Sequence, residues 1–157
     1  MDMMKSTRVH VGQLAVVRGL FLAELYSLTN EERQRLQEET QLFLEETLNQ
    51  SVISYHVETQ GRIVAVAFLE LIRKLPHPTR KTGWEGNVVN VYTLPDYRRM
   101  GLGEQLIREL LEEGRRLELD RITLMATPAG YDLYRKLGFK ERGTKDRPMV
   151  FHWAENA

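Results

Sequence analysis

The hydrophobic pattern of this chain changes its period after Asn49, and that change constrains the fold more than any other feature. Upstream, apolar residues recur at helical spacing, whereas residues 52–57 and 63–69 are β-rich runs. Gln60 and Gly61 lie between the two runs and predict a hairpin. Helices followed by paired strands exclude an all-helical or all-β chain, so we expect a mixed α/β domain.

Two helices are predicted ahead of the hairpin. An apolar stripe marks the first helix, and it consists of Leu14, Val17, Phe21 and Leu25. Thr29 followed by Glu32 is a capping box that starts the second helix. This second helix is expected to turn its acidic residues outward and to carry inward Leu36, Phe43, Leu44 and Leu48. Residues 8–11 are expected to form a short strand that leads into the first helix.

The second half of the chain alternates strands and helices. Residues 75–86 hold two prolines and two glycines and predict a loop, after which residues 87–94 predict a strand. A helix is expected from about Gly101, and a short strand over residues 122–126. Thr127 is placed to cap a further helix that starts at Pro128 and ends at Gly138. Residues 149–153 alternate like a final strand, and the strand-helix-strand unit around Gly101 should be parallel.

Length and composition indicate a globular protein. The chain has 157 residues and a mass of 18.3 kDa, so one domain over residues 1–157 is expected. Its 22 basic and 22 acidic residues balance, which argues against broad binding to nucleic acid or to an anionic membrane. The absence of cysteine excludes disulfides and cysteine nucleophiles. We find no signal-like or membrane-spanning apolar stretch and expect a cytoplasmic location.

The stretch Arg98-Arg99-Met100-Gly101-Leu102-Gly103 carries the strongest chemical signal. It follows a strand and opens a helix, whose N-terminus offers unpaired N–H groups and partial positive charge to a phosphate. The alternative is a glycine-containing turn with two solvated arginines. A P-loop does not fit, because Glu104 stands where that motif has lysine. A dinucleotide fingerprint does not fit either, because Leu106 stands where its third glycine would be.

Two motifs together resemble the GNAT superfamily of N-acetyltransferases. Arg-x-x-Gly-x-Gly at residues 98–103 is similar to the acetyl-CoA motif of that family. Residues 133–139, Leu-Tyr-Arg-Lys-Leu-Gly-Phe, are similar to its Leu-Tyr-x-Lys-Leu-Gly-Phe signature. The resemblance implies a mixed central sheet with splayed parallel strands flanked by helices. It also implies that acetyl-CoA is the cosubstrate and that its acetyl group passes to an amine in a ternary complex.

The resemblance also assigns the residues that would hold the cofactor. The backbone of Arg99, Met100, Gly101, Leu102 and Gly103, with Arg98 at its edge, would bind the pyrophosphate of coenzyme A. The main chain of Val91 and Thr93 would pair with the pantetheine arm like an added strand, and a backbone N–H there would stabilise the oxyanion. Thr127 matches a position where family members often have a cofactor-contacting asparagine, and it is also placed as a helix cap.

The same resemblance bears on the catalytic groups. Tyr134 matches the tyrosine that donates a proton to the departing thiolate, the alternative being a helical tyrosine that only packs. Histone-type members keep a glutamate as general base where Asn87 stands in this chain. Glu85 and Glu70 are the candidates on the sheet, and His77 lies in the loop. The alternatives are that these side chains are solvated or salt-bridged and that water removes the proton.

Other functions and partners stay open at this point. A non-catalytic module that binds or senses coenzyme A is one rival, and an acyltransferase with a different acyl donor or acceptor is another. The expected acceptor is a small-molecule or peptide amine of undetermined identity. A homodimer is one expectation, because dimers are frequent among proteins of this kind. No metal is expected, because His56 and His152 have no second ligand at metal spacing.

Overall fold

The structure, a computed structural model, describes residues 1–156, with side chains as far as Ala154. The chain forms two compact units, Met1–Met125 and Ala126–Ala157. Among the described residues, the first unit contains the sheet and three α-helices, and the second contains two short helices.

A five-stranded sheet forms the centre of the first unit. Its strands, in spatial order, are β1 (Asp2–Lys5), β2 (Val52–Thr59), β3 (Arg62–Arg73), β4 (Trp84–Thr93) and β5 (Arg121–Thr123). Neighbouring strands are antiparallel except for β4 and β5, which are parallel and joined through a helix. The predicted mixed sheet and parallel strand-helix-strand unit are therefore confirmed, although β5 ends well before the expected Ala126.

The hairpin predicted at Gln60 and Gly61 is confirmed. It joins β2 to β3, and the two residues have φ values of 51° and 73°, as a two-residue turn that matches the twist of the strands requires. Residues 63–69 of β3 are all buried. Because successive side chains point to opposite faces, both faces of the sheet must be covered here, and the helices Val11–Leu25 and Leu102–Arg116 pack against this strand.

Three helices flank the sheet: α1 (Val11–Leu25), α2 (Asn30–Thr47) and α3 (Leu102–Arg116). The predicted capping box of α2 is confirmed. Thr29 Oγ1 accepts from the Glu32 N–H at 3.1 Å, and the Glu32 carboxylate accepts from the Thr29 N–H at 2.9 Å. None of the helices in the described part of the chain has the length and apolar character needed to cross a membrane.

The predicted apolar stripes are only partly buried. Leu14 and Val17 of α1 and Leu44 of α2 lie in the core. In contrast, Leu25 of the first stripe is 60% exposed, and Phe43 is 52% exposed, so its predicted inward position is wrong. Leu25 is the last residue of α1, and Phe43 lines an open cleft rather than the core. Helical spacing identifies a face of the helix but not how far the packing against that face extends.

The N-terminal strand lies earlier than the sequence predicts. Residues 8–11 are not a strand, because Arg8–His10 form a 3-10 turn that runs directly into α1. The Thr7 N–H donates to His10 Nδ1 at 2.9 Å. Such a local bond between side chain and backbone favours a turn over an extended strand.

In the second unit, Thr127 caps a turn rather than a helix that starts at Pro128. Its Oγ1 accepts from the Gly130 N–H at 3.2 Å, and helix α4 (Tyr131–Lys136) begins only after that turn. The predicted left-handed stop at Gly138 is confirmed by its φ of 102°. The Phe139 N–H returns to the Tyr134 carbonyl at 3.0 Å, which closes the helix end.

The predicted final strand over residues 149–153 is wrong. Residues 140–152 are irregular, and a short helix, α5 (Trp153–Asn156), follows. Alternation of side chains is a local pattern, whereas a strand also needs a hydrogen-bonded neighbour. None of the described strands pairs with this segment. Its apolar side chains are accordingly exposed, and they are Met149, Val150, Phe151 and Trp153.

Candidate active site

A bulge interrupts β4 near its C-terminal end. Asn90 and Val91 together lie opposite Ala67 of β3, where the register of the two strands shifts. Asn90 has a φ of 54°, a left-handed conformation that asparagine adopts more readily than most residues. Arg18 Nη1 of α1 donates to Asn90 Oδ1 at 2.9 Å, whereas the buried Asn90 Nδ2 has no hydrogen-bond partner in the described part of the chain. Arg18 and Asn90 are not among the site residues that the sequence predicts.

Beyond Asn87, the edge of β4 that faces β5 is open. Within the described residues, β5 pairs with β4 only along Glu85, Gly86 and Asn87, so the parallel pairing ends there. The Leu94 N–H donates to the Val64 carbonyl at 2.9 Å. Because an antiparallel ladder alternates, the N–H and C=O of Thr93 point away from β3, toward the open edge. Val91, the other residue predicted to pair with the cofactor, lies within the bulge.

A tight loop connects β4 to α3. Arg99 and Gly101 have φ values of 64° and 75°, and Met100 between them is exposed. The N-cap residue of α3 is Gly101, which has no side chain to cap the N–H groups of the first helical turn. Leu102 anchors the start of the helix in the core, and Gly103 lies next to Val91. This helix start has the donors and the partial positive charge that a phosphate requires.

Arg98 is held against α1 by an ion pair. Its Nη2 lies 2.9 Å from both carboxylate oxygens of Glu24, and its Nε donates to the Thr93 carbonyl at 2.9 Å. The Tyr92 hydroxyl donates to Glu24 Oε1 at 2.7 Å. Burial and this hydrogen bond raise the pKa of Tyr92 to about 12. The hydrogen bond from Tyr92, together with Arg98, lowers the pKa of Glu24. These bonds attach the start of the β4–α3 loop to α1.

A cleft of about 330 Å³ lies between α1, α2 and strands β2, β3 and β4. Most of its lining consists of leucine, phenylalanine and valine side chains. Its polar lining comprises Arg18, Glu39, Thr40 and Glu70. Because Arg18 bonds to Asn90, the cleft adjoins the bulge of β4.

The two carboxylates predicted as base candidates have different surroundings. Glu70 lines the cleft and accepts from Asn87 Nδ2 at 3.2 Å. Glu85 is buried and accepts from Arg121 Nε at 3.0 Å and Arg80 Nε at 3.3 Å. Burial by itself would raise the pKa of Glu85, but the two arginines outweigh burial and lower that pKa. Because Glu85 is held as an anion by two cations, it is a weak proton acceptor.

Tyr134 lies in α4 of the second unit. Its ring meets that of Phe139 edge to face, with centroids 5.9 Å apart. Burial raises the pKa of Tyr134, and no hydrogen bond of its hydroxyl is found among the described residues. The phenol is therefore protonated at neutral pH and has no protein acceptor in the described structure. Such a hydroxyl is suited to donate a proton.

The structure also brings His10 next to two residues of β2, His56 and Glu58. Nε2 of His56 lies 3.3 Å from Glu58 Oε1, and Nε2 of His10 lies 3.5 Å from the same atom. The Thr7 N–H donates to His10 Nδ1, and the other ring nitrogen, Nε2, faces Glu58. The fully buried His56 has its Nδ1 2.7 Å from Ser6 Oγ. The cluster is arranged as a hydrogen-bonded network between the N-terminal segment and β2.

The protein is of the α/β class, with a mixed sheet and a helix, α3, that begins at a glycine next to the open edge of β4. The start of this helix suits a cofactor that carries phosphate groups. A sequence model of the Acetyltransferase (GNAT) family matches residues 20–139. This match covers more than half of the chain and includes both motifs, so the chain belongs to the GNAT acetyltransferase family.

Curated relatives match a shorter region. The uncharacterized N-acetyltransferases ycf52 of Pyropia yezoensis and Porphyra purpurea are each 36% identical to this chain over 61 residues. The alignment covers 39% of this chain and 35% of each relative, so the match spans about a third of the relatives' length.

Solved structures share the fold. A predicted acetyltransferase with acetyl-CoA from Clostridium acetobutylicum has a TM-score of 0.80 and 23% identity, and the match covers 98% of this chain and 97% of that chain. A GCN5-related N-acetyltransferase from Ralstonia eutropha has a TM-score of 0.76 and 21% identity, with coverage of 94% and 97%. At these identities the comparison shows the fold and not the substrate.

Proposed function

We propose that this protein is an N-acetyltransferase that moves the acetyl group of acetyl-CoA to an amine by direct attack in a ternary complex. The observation that carries the proposal is the open edge of β4 beyond Asn87, followed by the glycine-started helix α3, in a chain of the GNAT family. A protein of the same fold has been crystallised with acetyl-CoA, which supports this cosubstrate.

The proposed cofactor site follows the course of the chain from β4 to α3. The N–H groups at the start of α3 and the backbone of residues 99–103 bind the pyrophosphate, since they combine donors with the positive end of a helix dipole. The main-chain groups of Val91 and Thr93 bind the pantetheine arm on the open edge of β4. A backbone N–H near the bulge polarises the thioester carbonyl and stabilises the oxyanion. Thr127 is kept as a further candidate for contact with the cofactor.

Glu70 is proposed as the group that accepts a proton from the acceptor. An alkylamine with a pKa near that of lysine, about 10.4, reaches the cleft as an ammonium ion and must lose a proton before attack. Glu70 lines the cleft, whereas the charge of Glu85 is already balanced by Arg80 and Arg121. The comparison of surroundings therefore favours Glu70 over Glu85.

The proposed reaction balances without a covalent enzyme intermediate. The ammonium passes a proton to Glu70, and the amine nitrogen attacks the carbonyl carbon of the thioester. The nitrogen of the tetrahedral intermediate loses its second proton to water, the carbon–sulfur bond breaks, and Tyr134 donates a proton to the departing thiolate. The products are the N-acetylated amine and free coenzyme A, and Glu70 and Tyr134 exchange protons with solvent to regain their starting states.

The experiment that tests the proposal combines calorimetry with a transfer assay. Titration of the protein with acetyl-CoA is expected to give saturable heat, and incubation with a panel of amines is expected to release free coenzyme A and an acetylated product seen by mass spectrometry. No heat and no change in melting temperature with acetyl-CoA would refute the cofactor site. Binding without release of coenzyme A for any amine would instead favour a non-catalytic sensing module.

A further inference from the structure

The cleft beside β4 is lined mainly by apolar side chains, as a binding site for an apolar molecule would be. Within the first unit, its hydrocarbon lining comes from α2 and from the sheet, and it includes Leu36, Phe43, Leu44, Val52, Phe68 and Val89. Phe43 is 52% exposed although it faces this cleft. Apolar side chains that line a concave surface of about 330 Å³ without filling it are typical of ligand sites.

The charges of the cleft suit a single cation. Two carboxylates, Glu39 and Glu70, line it together with one guanidinium, that of Arg18. Arg18 already donates to Asn90 Oδ1, and Glu70 accepts from Asn87 Nδ2, which leaves further lone pairs of the Glu70 carboxylate for an ammonium group. Glu39 Oε1 lies 3.9 Å from Arg35 Nε, and both side chains of this pair are largely exposed.

We infer that the acceptor is a small primary amine on an apolar aryl or alkyl body, a conclusion that rests on the proposed acetyl transfer. Its ammonium group meets Glu70, and its body packs on the side chains of α2 and the sheet. A polycation would place additional ammonium groups against leucine and phenylalanine, and a peptide would place its amide groups there. These ammonium and amide groups would lose their hydration without gaining hydrogen-bond partners, which makes the free energy of binding less favourable in an apolar site.

The test compares acceptors at a saturating concentration of acetyl-CoA. 2-Phenylethylamine and hexylamine represent the proposed class, whereas spermidine, kanamycin and a short peptide with an N-terminal alanine represent the others. We expect kcat/KM for 2-phenylethylamine to exceed that for each polar acceptor at least tenfold, as measured by release of coenzyme A. Equal or faster transfer to spermidine, kanamycin or the peptide overturns the inference and leaves the proposed acetyl transfer intact.

Two adjacent side chains of α2 provide a matched pair of variants. Phe43 lines the cleft, whereas Leu42, at 64% exposure, does not. We expect F43S to raise KM for 2-phenylethylamine about tenfold, with kcat and the acetyl-CoA Kd unchanged, and L42S to leave all three unchanged. Both variants should keep the wild-type melting temperature because both side chains are already exposed. Identical KM values for the two variants overturn the inference, whereas failure of the wild-type protein to release coenzyme A with any amine overturns the proposed function as well.

Discussion

Glu70 and Glu85 lie on neighbouring strands, yet their surroundings make them chemically different. Glu70 lines the cleft with one amide donor from Asn87, and Glu85 is buried between Arg80 and Arg121. The neighbours of each glutamate are therefore the reason that we propose Glu70, and not Glu85, as the proton acceptor. The surroundings of Tyr134 matter in the same way, because burial of its ring raises its pKa and keeps the hydroxyl protonated.

We predict that E70Q lowers kcat at neutral pH by on the order of 100-fold, the usual contribution of a positioned base. The loss should diminish toward pH 10, because the amine then loses its proton to solvent. Rates measured from pH 7 to 10 check this. E85Q, compared at an equal concentration of folded protein, should keep the wild-type pH profile. If E85Q rather than E70Q loses activity in this way, the assignment of the base is reversed.

We predict that Y134F lowers kcat by on the order of 100-fold without changing the acetyl-CoA Kd, because the departing thiolate loses its proton donor. Y131F is the matched control one helical turn earlier, where the hydroxyl lies 3.5 Å from Arg135 Nη1. Stopped-flow measurement of thiol release and calorimetry with acetyl-CoA separate turnover from binding. An unchanged kcat in Y134F would contradict the acid role.

At the scale of elements, the decisive feature is the joint between β4 and α3. The bulge at Asn90 bends the strand, the parallel pairing with β5 stops at Asn87, and α3 starts at a left-handed glycine. Each of these features exposes main-chain groups that an ordinary strand or capped helix would satisfy internally. The cofactor contacts that we propose at this joint are therefore mainly contacts of its backbone groups.

We predict that G101V weakens acetyl-CoA binding at least tenfold, because a branched side chain at a φ of 75° displaces the backbone that starts α3. G61V is a matched control in the β2–β3 hairpin, with a φ of 73°, and a Cβ at either glycine meets nothing within 4 Å. Both variants should lose similar stability to backbone strain. Calorimetry that finds equal acetyl-CoA affinities in the two variants would contradict the phosphate site.

At the scale of the whole first unit, a buried carboxylate joins α3 to the far edge of the sheet. Glu113 accepts from Lys5 Nζ at 2.6 Å, from Arg116 Nη2 at 2.6 Å and from the Tyr55 hydroxyl at 3.0 Å. Burial would raise the pKa of Glu113, but these three donors outweigh burial and lower that pKa to about 2. The folded state therefore favours the charged carboxylate more strongly than the unfolded chain does.

We predict that E113Q lowers the free energy of unfolding at pH 7 by about 3 kcal/mol, because the buried Tyr55 hydroxyl and the partly exposed Lys5 and Arg116 lose a charged partner. The pKa is lowered from 4.5 to about 2 on folding, so this stabilisation is present above pH 4.5 and is lost as the pH falls toward 2. Urea denaturation from pH 7 to 2.5 should show a flatter acid dependence in E113Q than in the wild type. The control is E112Q, whose exposed pair with Arg115 should leave the urea midpoint unchanged. Equal midpoints for E112Q and E113Q would contradict the prediction.

Local signals in the sequence were sufficient where the structure is decided locally. The Gln60-Gly61 hairpin, the Thr29–Glu32 capping box and the Gly138 stop follow from the backbone preferences of a few neighbouring residues, and all three are confirmed. The same kind of signal failed for residues 149–153, because a strand requires a partner that alternation cannot supply. The single domain expected over residues 1–157 stays a prediction, as do the roles of the proposed site residues.

The sequence by itself determined the mixed α/β class, the parallel unit around Gly101 and the family to which two short motifs point, since these depend on periodicity and on adjacent residues. Only the tertiary structure decided which polar groups meet: Arg18 with Asn90, Glu24 with Arg98, and Glu85 with two arginines. Arg18 and Asn90 are separated by 72 positions, and Glu24 and Arg98 by 74. Neither sequence separation is related to the period of a helix or a strand. A local pattern therefore cannot show which polar groups pair with each other, which are buried, and which stay available to a ligand.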